Sequence, residues 1–313
     1  MRPLARARRR VVEAVLTLLG ASVLIWALLP LAPGDPARMI LVAQGVPEPT
    51  PEQIGDLEQT LHLDRSAPEQ YAHWLWGVLR GDLGLSFVSG RPVAGEFAER
   101  LPATLILASS ALAVAVVLSV ALGVIAARSP RRWPDHGTRW LALVFTSVPS
   151  FVVALLLIQV FVVGLGFGKA ALDGTWAQVW LPAVCLAVGL SDSWSRLLRA
   201  NLLAFLESPT ADVLRARGAS RWRLLWRHGL PNSAVPSLHA LAVGTAVLLG
   251  GATVVETVFT WPGLGAYVVE SVKTRDLPVI QAFTVFATAS YVVSSLVADL
   301  LSAVIDRRIE VAA

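Results

Sequence analysis

The sequence has few charged residues, few lysines and a single cysteine. Only 15% of its 313 residues are charged, against about 25% in ordinary soluble domains, while 55% are hydrophobic. The mean hydropathy is +0.63. Because Cys185 is alone, no disulfide can form within the chain. Arginine supplies nearly all of the positive charge, since lysine occurs only at Lys169 and Lys273. This composition favours an integral membrane protein over a soluble domain.

The sequence also lacks the motifs of an ATPase or a metalloenzyme. The nearest approach to a phosphate-binding loop, G-F-G-K-A at 166–170, has neither the spacing nor the Ser/Thr of G-x-x-x-x-G-K-[ST]. No H-E-x-x-H occurs, and the histidines have no metal-ligand spacing. We therefore expect a chain that is not an enzyme and binds no metal or cofactor. If it drives transport, ATP must be hydrolysed by another chain.

Six apolar stretches predict an all-α integral membrane protein with six transmembrane helices. They are residues 11–31, 101–127, 140–163, 179–198, 235–258 and 279–305. Arginines cluster before the first stretch, after the second, before the fifth and, as Arg307 and Arg308, after the last. The positive-inside rule then places both termini in the cytoplasm.

Two features of these stretches concern packing. Pro149 lies in the middle of the third, where its missing N–H predicts a kink. Ala111, Ala115, Ser119 and Gly123 recur every fourth residue in the second. They predict a stripe that another helix can approach closely, unless the spacing arises by chance in an alanine-rich helix.

A long polar segment follows the first predicted helix. Its prolines and glycines predict turns around two short helices, at 57–63 and 71–79. Trp74 and Trp76 in the second of these suit a membrane interface. We divide the chain into an N-terminus with the first helix, 1–31, an extracytoplasmic lobe, 32–100, and a five-helix core, 101–313.

A basic segment, residues 208–232, separates the fourth and fifth apolar stretches. Ser208 predicts the cap of a short helix whose first residue is Pro209. Gly218 can take the left-handed conformation that ends this helix. Both predictions rest on local backbone rules, so they do not depend on the rest of the fold.

A second short helix is predicted to begin at Ser220 and to stop at Leu230-Pro231. Trp222, Leu225 and Trp226 fall on one face of it at helical spacing. This apolar face either docks a partner or packs on the chain's own helices, and the sequence favours neither.

The spacing within residues 208–232 resembles the coupling loop of ABC importer permeases, whose pattern is E-A-A-x₃-G-x₉-I-x-L-P. Gly218, Leu230 and Pro231 match it. Asp212-Val213-Leu214 stands in place of E-A-A, and His228 in place of the isoleucine. We call residues 208–232 the coupling loop from here on.

Further stretches resemble the permeases of the dipeptide/oligopeptide/nickel ABC importer family, in the family's order along nearly the whole chain. They are L-A-P-G-D-P at 31–36, L-H-L-D-R at 61–65, G-D-L-G-L-S-F at 81–87, R-L-P-A-T at 100–104, V-E-T-V-F at 255–259, W-P-G-L-G at 261–265 and R-D-L-P at 275–278. The large lobe is most like that of the first permease of the pair.

The resemblance implies a type I importer permease in a bacterial or archaeal plasma (inner) membrane. Such a chain forms, with a second permease, the pathway for small peptides, nickel or other small solutes handed over by an extracytoplasmic binding protein. Two ABC ATPases use ATP and Mg and bind the cytoplasmic loops. The coupling loop residues expected at this contact are Asp212, Arg215, Arg217, Gly218, Trp222, Leu225, Trp226, Leu230 and Pro231.

The resemblance also singles out an external signature: Glu256, Trp261, Pro262, Gly263 and Gly265. Glu256 is predicted at the outer end of the fifth helix. We expect its carboxylate to fix the external segment by accepting backbone N–H groups from the W-P-G-L-G turn.

Three other classes of function compete with an importer permease. A membrane scaffold without transport would leave the kinked third helix and the coupling-like loop without a purpose. An ion-coupled secondary transporter would place carboxylates near the bilayer midplane, and Glu13, Asp192, Glu256 and Asp299 all lie near predicted helix ends. A membrane enzyme would need a nucleophile and a histidine on adjacent helices at membrane depth. The ion-coupled transporter is the alternative that the sequence leaves open.

Overall fold

The computed structural model describes residues 3–31, 34–43, 45–60, 64–130, 133, 137, 140, 148–169 and 172–305. This part of the chain is helical, with one isolated β-bridge between Leu85 and Pro92. The predicted all-α fold is therefore confirmed over the described residues.

The N-terminal part forms five helices. They are α1 Pro3–Leu31, α2 Pro36–Ala43, α3 Pro51–Thr60, α4 Ala67–Leu79 and α5 Val93–Arg128. The short helix predicted at 71–79 is present as α4, which begins earlier because Ser66 caps it. The helix predicted at 57–63 forms earlier as well, since Pro51 occupies the first turn of α3.

The described residues after α5 are helical as well. α6 is Ser150–Leu157, which runs on as a π-helix over Ile158–Gly164; α7 is Trp180–Leu206 and α8 is Pro209–Ala216. α9 joins Arg221–Arg223, a π-helical turn Leu224–Gly229, and Leu230–Asn232. α10 is Ala234–Val258, α11 is Leu264–Lys273 and α12 is Leu277–Ile305.

Among the described residues, three helices are long and apolar enough to span a membrane: Val12–Leu31, Val93–Arg128 and Leu277–Leu300. α10 is a fourth if its arms Pro236–Thr245 and Leu248–Val258, bent by 45°, form one span. The other two predicted spans correspond to the shorter apolar helix Ser150–Gly164 and to α7. As spans these two stay predictions.

The kink predicted at Pro149 is wrong. Pro149 has extended backbone (φ −56°, ψ 143°) and precedes the start of α6. A proline that comes directly before a helix costs no intrahelical hydrogen bond, so this is a helix start and not a bend within one.

The chain divides into two compact units. The first contains residues 103–262 and 293–313. Its main core joins α5, α6, α7 and α10 through side chains such as Leu107, Leu186 and Leu248. The small-residue stripe of α5 is confirmed as a close contact: a Cβ on Gly123 would lie 3.1 Å from Leu198 Cδ2, and Ala111 and Ala115 are fully buried.

The second unit contains residues 2–102 and 263–292. Its core packs Val93 and Phe97 of α5 against Leu264 and Val279. The carboxylate of Asp276 accepts hydrogen bonds from the Ser86 hydroxyl and from the Phe87 N–H. Two of the recognised motifs, G-D-L-G-L-S-F and R-D-L-P, thus meet at one buried aspartate. The predicted three-part domain division stays a prediction.

Some predicted features lie outside the described residues. They are Ala32 and Pro33 of the L-A-P-G-D-P motif, Leu61, His62 and Leu63, the arginines 131, 132 and 139, most of the first half of the third predicted helix, and Arg307 and Arg308.

Candidate functional site

The first helix of the coupling loop forms as its capping residues dictate. The Ala211 N–H donates to Ser208 Oγ at 3.3 Å, and Pro209 occupies the first turn of α8. The helix ends after Ala216, and Gly218 has φ +83°. This φ angle lies in the left-handed region, which glycine adopts without strain, so the sequence prediction for Gly218 is confirmed. The space around Gly218 is open, since no atom lies within 4 Å of an added Cβ.

The second helix begins as predicted but does not stop where predicted. The Arg223 N–H donates to Ser220 Oγ at 3.3 Å. The helix then widens into the π-helical turn and continues through Pro231 to Asn232. The Asn232 side chain donates to the His228 carbonyl at 2.8 Å in this last turn. The predicted stop at Leu230-Pro231 is therefore wrong.

The predicted apolar face is divided between buried and exposed side chains. Leu224 and Leu225 are fully buried among side chains from the C-terminal parts of α5 and α7, whereas Trp222 is 51% and Trp226 42% exposed. Leu225 packs on the chain's own helices, and the two tryptophans are the part left available to a partner.

The packing beneath these tryptophans is tight. A Cβ on Gly229 would lie 2.8 Å from Leu202 Cδ2, and Leu202 is itself fully buried. Leu230 packs against the same cluster. α9 is therefore closely packed against the C-terminal part of α7.

Charged groups tie the coupling loop to its neighbours. Asp212 pairs with Arg215 at 2.6 Å, and Arg215 also donates to the Leu206 carbonyl. Arg221 donates to the Ala127 carbonyl at 2.9 Å. Burial, and then the nearby charge of Arg215, lower the pKa of Arg221. Three further arginines stand exposed on the same loop: Arg217, Arg223 and Arg227.

The two exposed tryptophans form one surface, which we call the tryptophan pair. The ring centroids of Trp222 and Trp226 lie 5.3 Å apart at an angle of 54°. The Arg128 guanidinium lies 5.6 Å from the Trp222 centroid. Exposed aromatic rings beside arginines are the composition of interface hot spots.

At the other end of α10 lies a buried polar cluster, which we call the outer anchor: Ala103, Thr104, Glu256 and Trp261. Thr104 Oγ1 donates to Glu256 Oε1 at 3.0 Å, and the Trp261 indole donates to the Ala103 carbonyl at 2.9 Å. Glu256 and Trp261 are fully buried. The cluster joins α5, about ten residues after its start, to the C-terminal end of α10.

The turn after α10 is held by backbone as well as side chains. The Trp261 N–H donates to the backbone carbonyl of Glu256 at 2.7 Å, and Thr260 takes the left-handed region at φ 51°. Pro262 packs against Gly174, where an added Cβ would lie 3.0 Å from the proline ring. In the second unit, Gly263 precedes α11 and Gly265 is buried within it.

Sequence reasoning missed Thr104 and Gly174. Thr104 was noticed only as part of the R-L-P-A-T motif, and a lone polar residue near the start of an apolar helix was the available signal. No pattern marked Gly174, because its role depends on a close approach between segments distant in sequence.

Comparison with known proteins gives consistent results. A family model described as "Binding-protein-dependent transport system inner membrane component" matches residues 119–311, and the model of its N-terminal region matches residues 4–108. The chain is 37% identical over 298 residues to the glutathione transport system permease protein GsiC of Escherichia coli strain K12, which covers 95% of this chain and 96% of that protein. GsiC of Shigella dysenteriae serotype 1 has the same values.

A search of solved structures finds the MetNI methionine ABC transporter in inward-facing conformations. The likeness has a TM-score of 0.46 and 17% sequence identity, and covers 77% of this chain and 100% of that one.

Proposed function

Because the chain belongs to the family of binding-protein-dependent transport system inner membrane components, we propose that it forms a translocation pathway for small peptides together with a second permease. It is a permease subunit of an ABC importer, and hence a transport component and not an enzyme. The ion-coupled transporter suggested as an alternative is excluded by this membership. Small peptides are proposed as substrate because the relatives with 37% identity are named for transport of the tripeptide glutathione.

ABC importer permeases work with a second permease, an ATPase and a binding protein. For this chain we propose two ATPases that use ATP and Mg, an extracytoplasmic binding protein, and cytoplasmic termini. The distribution of arginines supports this orientation. The chain itself is proposed to bind no cofactor.

We further propose that one ATPase docks on the coupling loop. The observation that carries this is the tryptophan pair, half exposed on a helix whose Leu224 and Leu225 are fully buried. A helix fixed on one side and offering aromatic rings on the other acts as a rigid lever for a partner.

The experiment is purification of the chain from its host in mild detergent, with mass spectrometry of the proteins that come with it. We expect a second permease and P-loop ATPases. The variant Gly218→Pro cannot adopt φ +83° and should lose the ATPases but keep the permease partner. Gly250→Ala, in open space on α10, is the matched control and should retain both. A wild-type chain that comes alone in several detergents would contradict the proposal.

The substrate is tested by uptake of labelled glutathione and of a labelled dipeptide in cells with and without the intact gene. A defect for one or both, rescued by the wild-type chain, is expected. Unchanged peptide uptake together with lost uptake of a nickel chelate would assign the substrate differently while leaving the importer assignment intact.

A further inference from the structure

α4 belongs to the polar lobe by sequence, yet its contacts place it beside the middle of a membrane-spanning helix. The Tyr71 hydroxyl lies 2.8 Å from Ser22 Oγ, and the Tyr71 ring meets Trp26 edge-on with centroids 5.8 Å apart. Trp74 stacks on Tyr71 at 6.3 Å. All of these residues lie in the second unit, so one compact body fixes α4 against α1.

These contacts set the depth of α4. At 1.5 Å per residue, Ser22 lies about 13 Å and Trp26 about 7 Å below Leu31, where α1 ends. The apolar run Val12–Leu31 is about 30 Å long, the thickness of a bilayer's hydrocarbon core. The inner face of α4 therefore lies below the level at which α1 leaves the membrane.

An independent contact gives the same depth. The Gln281 side chain donates to the carbonyls of Ile25 and Trp26, at 3.2 and 3.3 Å. Gln281 lies about 6 Å along α12 from its start at Leu277, which is also the start of a membrane-spanning stretch. Counted from α12, the level of Ile25 and Trp26 again falls inside the bilayer.

The outward face of α4 suits lipid. Ala72, Trp76 and Leu79 follow one another at helical spacing, and Trp76 is 55% and Leu79 71% exposed. Arg80 lies with its guanidinium 4.4 Å from the Trp76 ring centroid. A tryptophan with a cation over it, next to leucine and alanine, matches an amphipathic helix at the headgroup boundary.

The polar end of α4 does not oppose this placement. The Glu69 carboxylate accepts the Ser66 N–H at 3.3 Å, and the Gln70 side chain donates to the Arg65 carbonyl at 2.9 Å. Both groups are thus used by the helix start. α3, in contrast, carries three carboxylates, Glu52, Asp56 and Glu58, along its ten residues.

We propose that α4 is inserted into the leaflet in which α1 ends at Leu31, with Ala72, Trp76 and Leu79 in contact with lipid. The polar segment 32–100 is then composite: α3 lies in water and α4 in the membrane. This holds α4 at a fixed height beside α1 and α12, whichever solute is transported.

The test is spin-label accessibility of the importer in lipid nanodiscs, where reagents reach both faces. Single cysteines are placed at Ala72→Cys and Leu79→Cys of α4, and at Gln59→Cys of α3 as the matched control, in a Cys185→Ala background. Each nitroxide is measured with oxygen, which concentrates in lipid, and with a water-soluble chromium oxalate complex. Trp76 is left in place so that its contact with Arg80 persists.

We expect labels at positions 72 and 79 to collide several-fold more with oxygen than with chromium oxalate, and the label at 59 to show the reverse. Equal or greater collision with chromium oxalate at 72 and 79 would place α4 in water and overturn the proposal. Low collision with both reagents would mean that a protein chain covers this face, which would overturn it as well.

Discussion

The outer anchor and the coupling loop lie at opposite ends of α10 and are built in opposite ways. Glu256 and Trp261 are fully buried and hydrogen-bonded to Thr104 and Ala103, about one third of the way along α5. Trp222 and Trp226 stand half exposed over a buried leucine layer. At one end a buried tryptophan connects two helices of the chain. At the other end two tryptophan rings are exposed on the surface.

The difference shows that tryptophan has two roles at the two ends of α10, one in internal packing and one at an exposed surface. A buried indole needs a hydrogen-bond acceptor, and Trp261 has the Ala103 carbonyl. The tryptophan pair is exposed beside Arg128 and is suited to a partner. Removing rings at the two ends should therefore affect different properties.

Trp261→Ala should have the largest effect on stability. Truncating a fully buried tryptophan leaves a cavity and costs about 3–5 kcal/mol, and the Ala103 carbonyl also loses its donor. The measurement is thermal unfolding of the detergent-purified chain. Trp222→Ala, 51% exposed, is the control and should shift the midpoint little. Equal shifts for the two variants would remove the distinction between the ends of α10.

The Thr104–Glu256 bond should show a smaller but measurable coupling. Thr104→Val leaves the buried carboxylate without the donor that lies 3.0 Å away, a loss of about 1–3 kcal/mol. A double-mutant cycle with Glu256→Gln isolates the coupling between the two side chains. Thr257→Val is the control, because that hydroxyl donates within its own helix and is exposed. Additive effects of the two substitutions would mean that the hydrogen bond contributes nothing to stability. If Glu256→Gln changes neither assembly nor uptake, Glu256 has no positioning role.

The local parts of the coupling loop were predictable from sequence, and the long-range parts were not. Ser208, Ser220 and Gly218 act on backbone groups within a few residues, so their types and spacing suffice. The burial of Leu225 depends on its contacts with α5 and α7, which helical spacing alone does not determine. The π-helical turn before Pro231, and the continuation of α9 through that proline, have no signal in the spacing either.

The outer anchor shows a second limit. Glu256 is singled out by its motif, and the hydrogen bonds expected from the W-P-G-L-G backbone to its carboxylate stay a prediction. Thr104, which bonds to its carboxylate, is 152 positions away in the chain. Such pairing follows from which helices pack together, and single-sequence patterns carry little of that information.

Gly218→Ala should cost about 1 kcal/mol, through backbone strain alone. At φ +83° an alanine Cβ approaches its own carbonyl, while no neighbouring atom lies within 4 Å. Gly218→Asn should cost less, because asparagine tolerates the left-handed region. Unfolding midpoints of both variants, set against Gly250→Ala, check this order. Equal costs for asparagine and alanine would contradict the view that backbone strain in the left-handed region sets the cost.

The double variant Trp222→Ala/Trp226→Ala should have the smallest effect on stability and yet abolish coupling. Both rings are half exposed and Leu224 and Leu225 remain buried, so the fold loses little, about 1 kcal/mol or less. The docking surface proposed for the ATPase would be gone. The measurements are the unfolding midpoint and the amount of ATPase that co-purifies with the chain. Trp176→Ala, at an exposed tryptophan outside the coupling loop, is the control and should keep the ATPase. If the double variant retains both the ATPase and uptake, the tryptophan pair is not the docking surface. The exposed end of α10 would then differ from the buried end in packing alone.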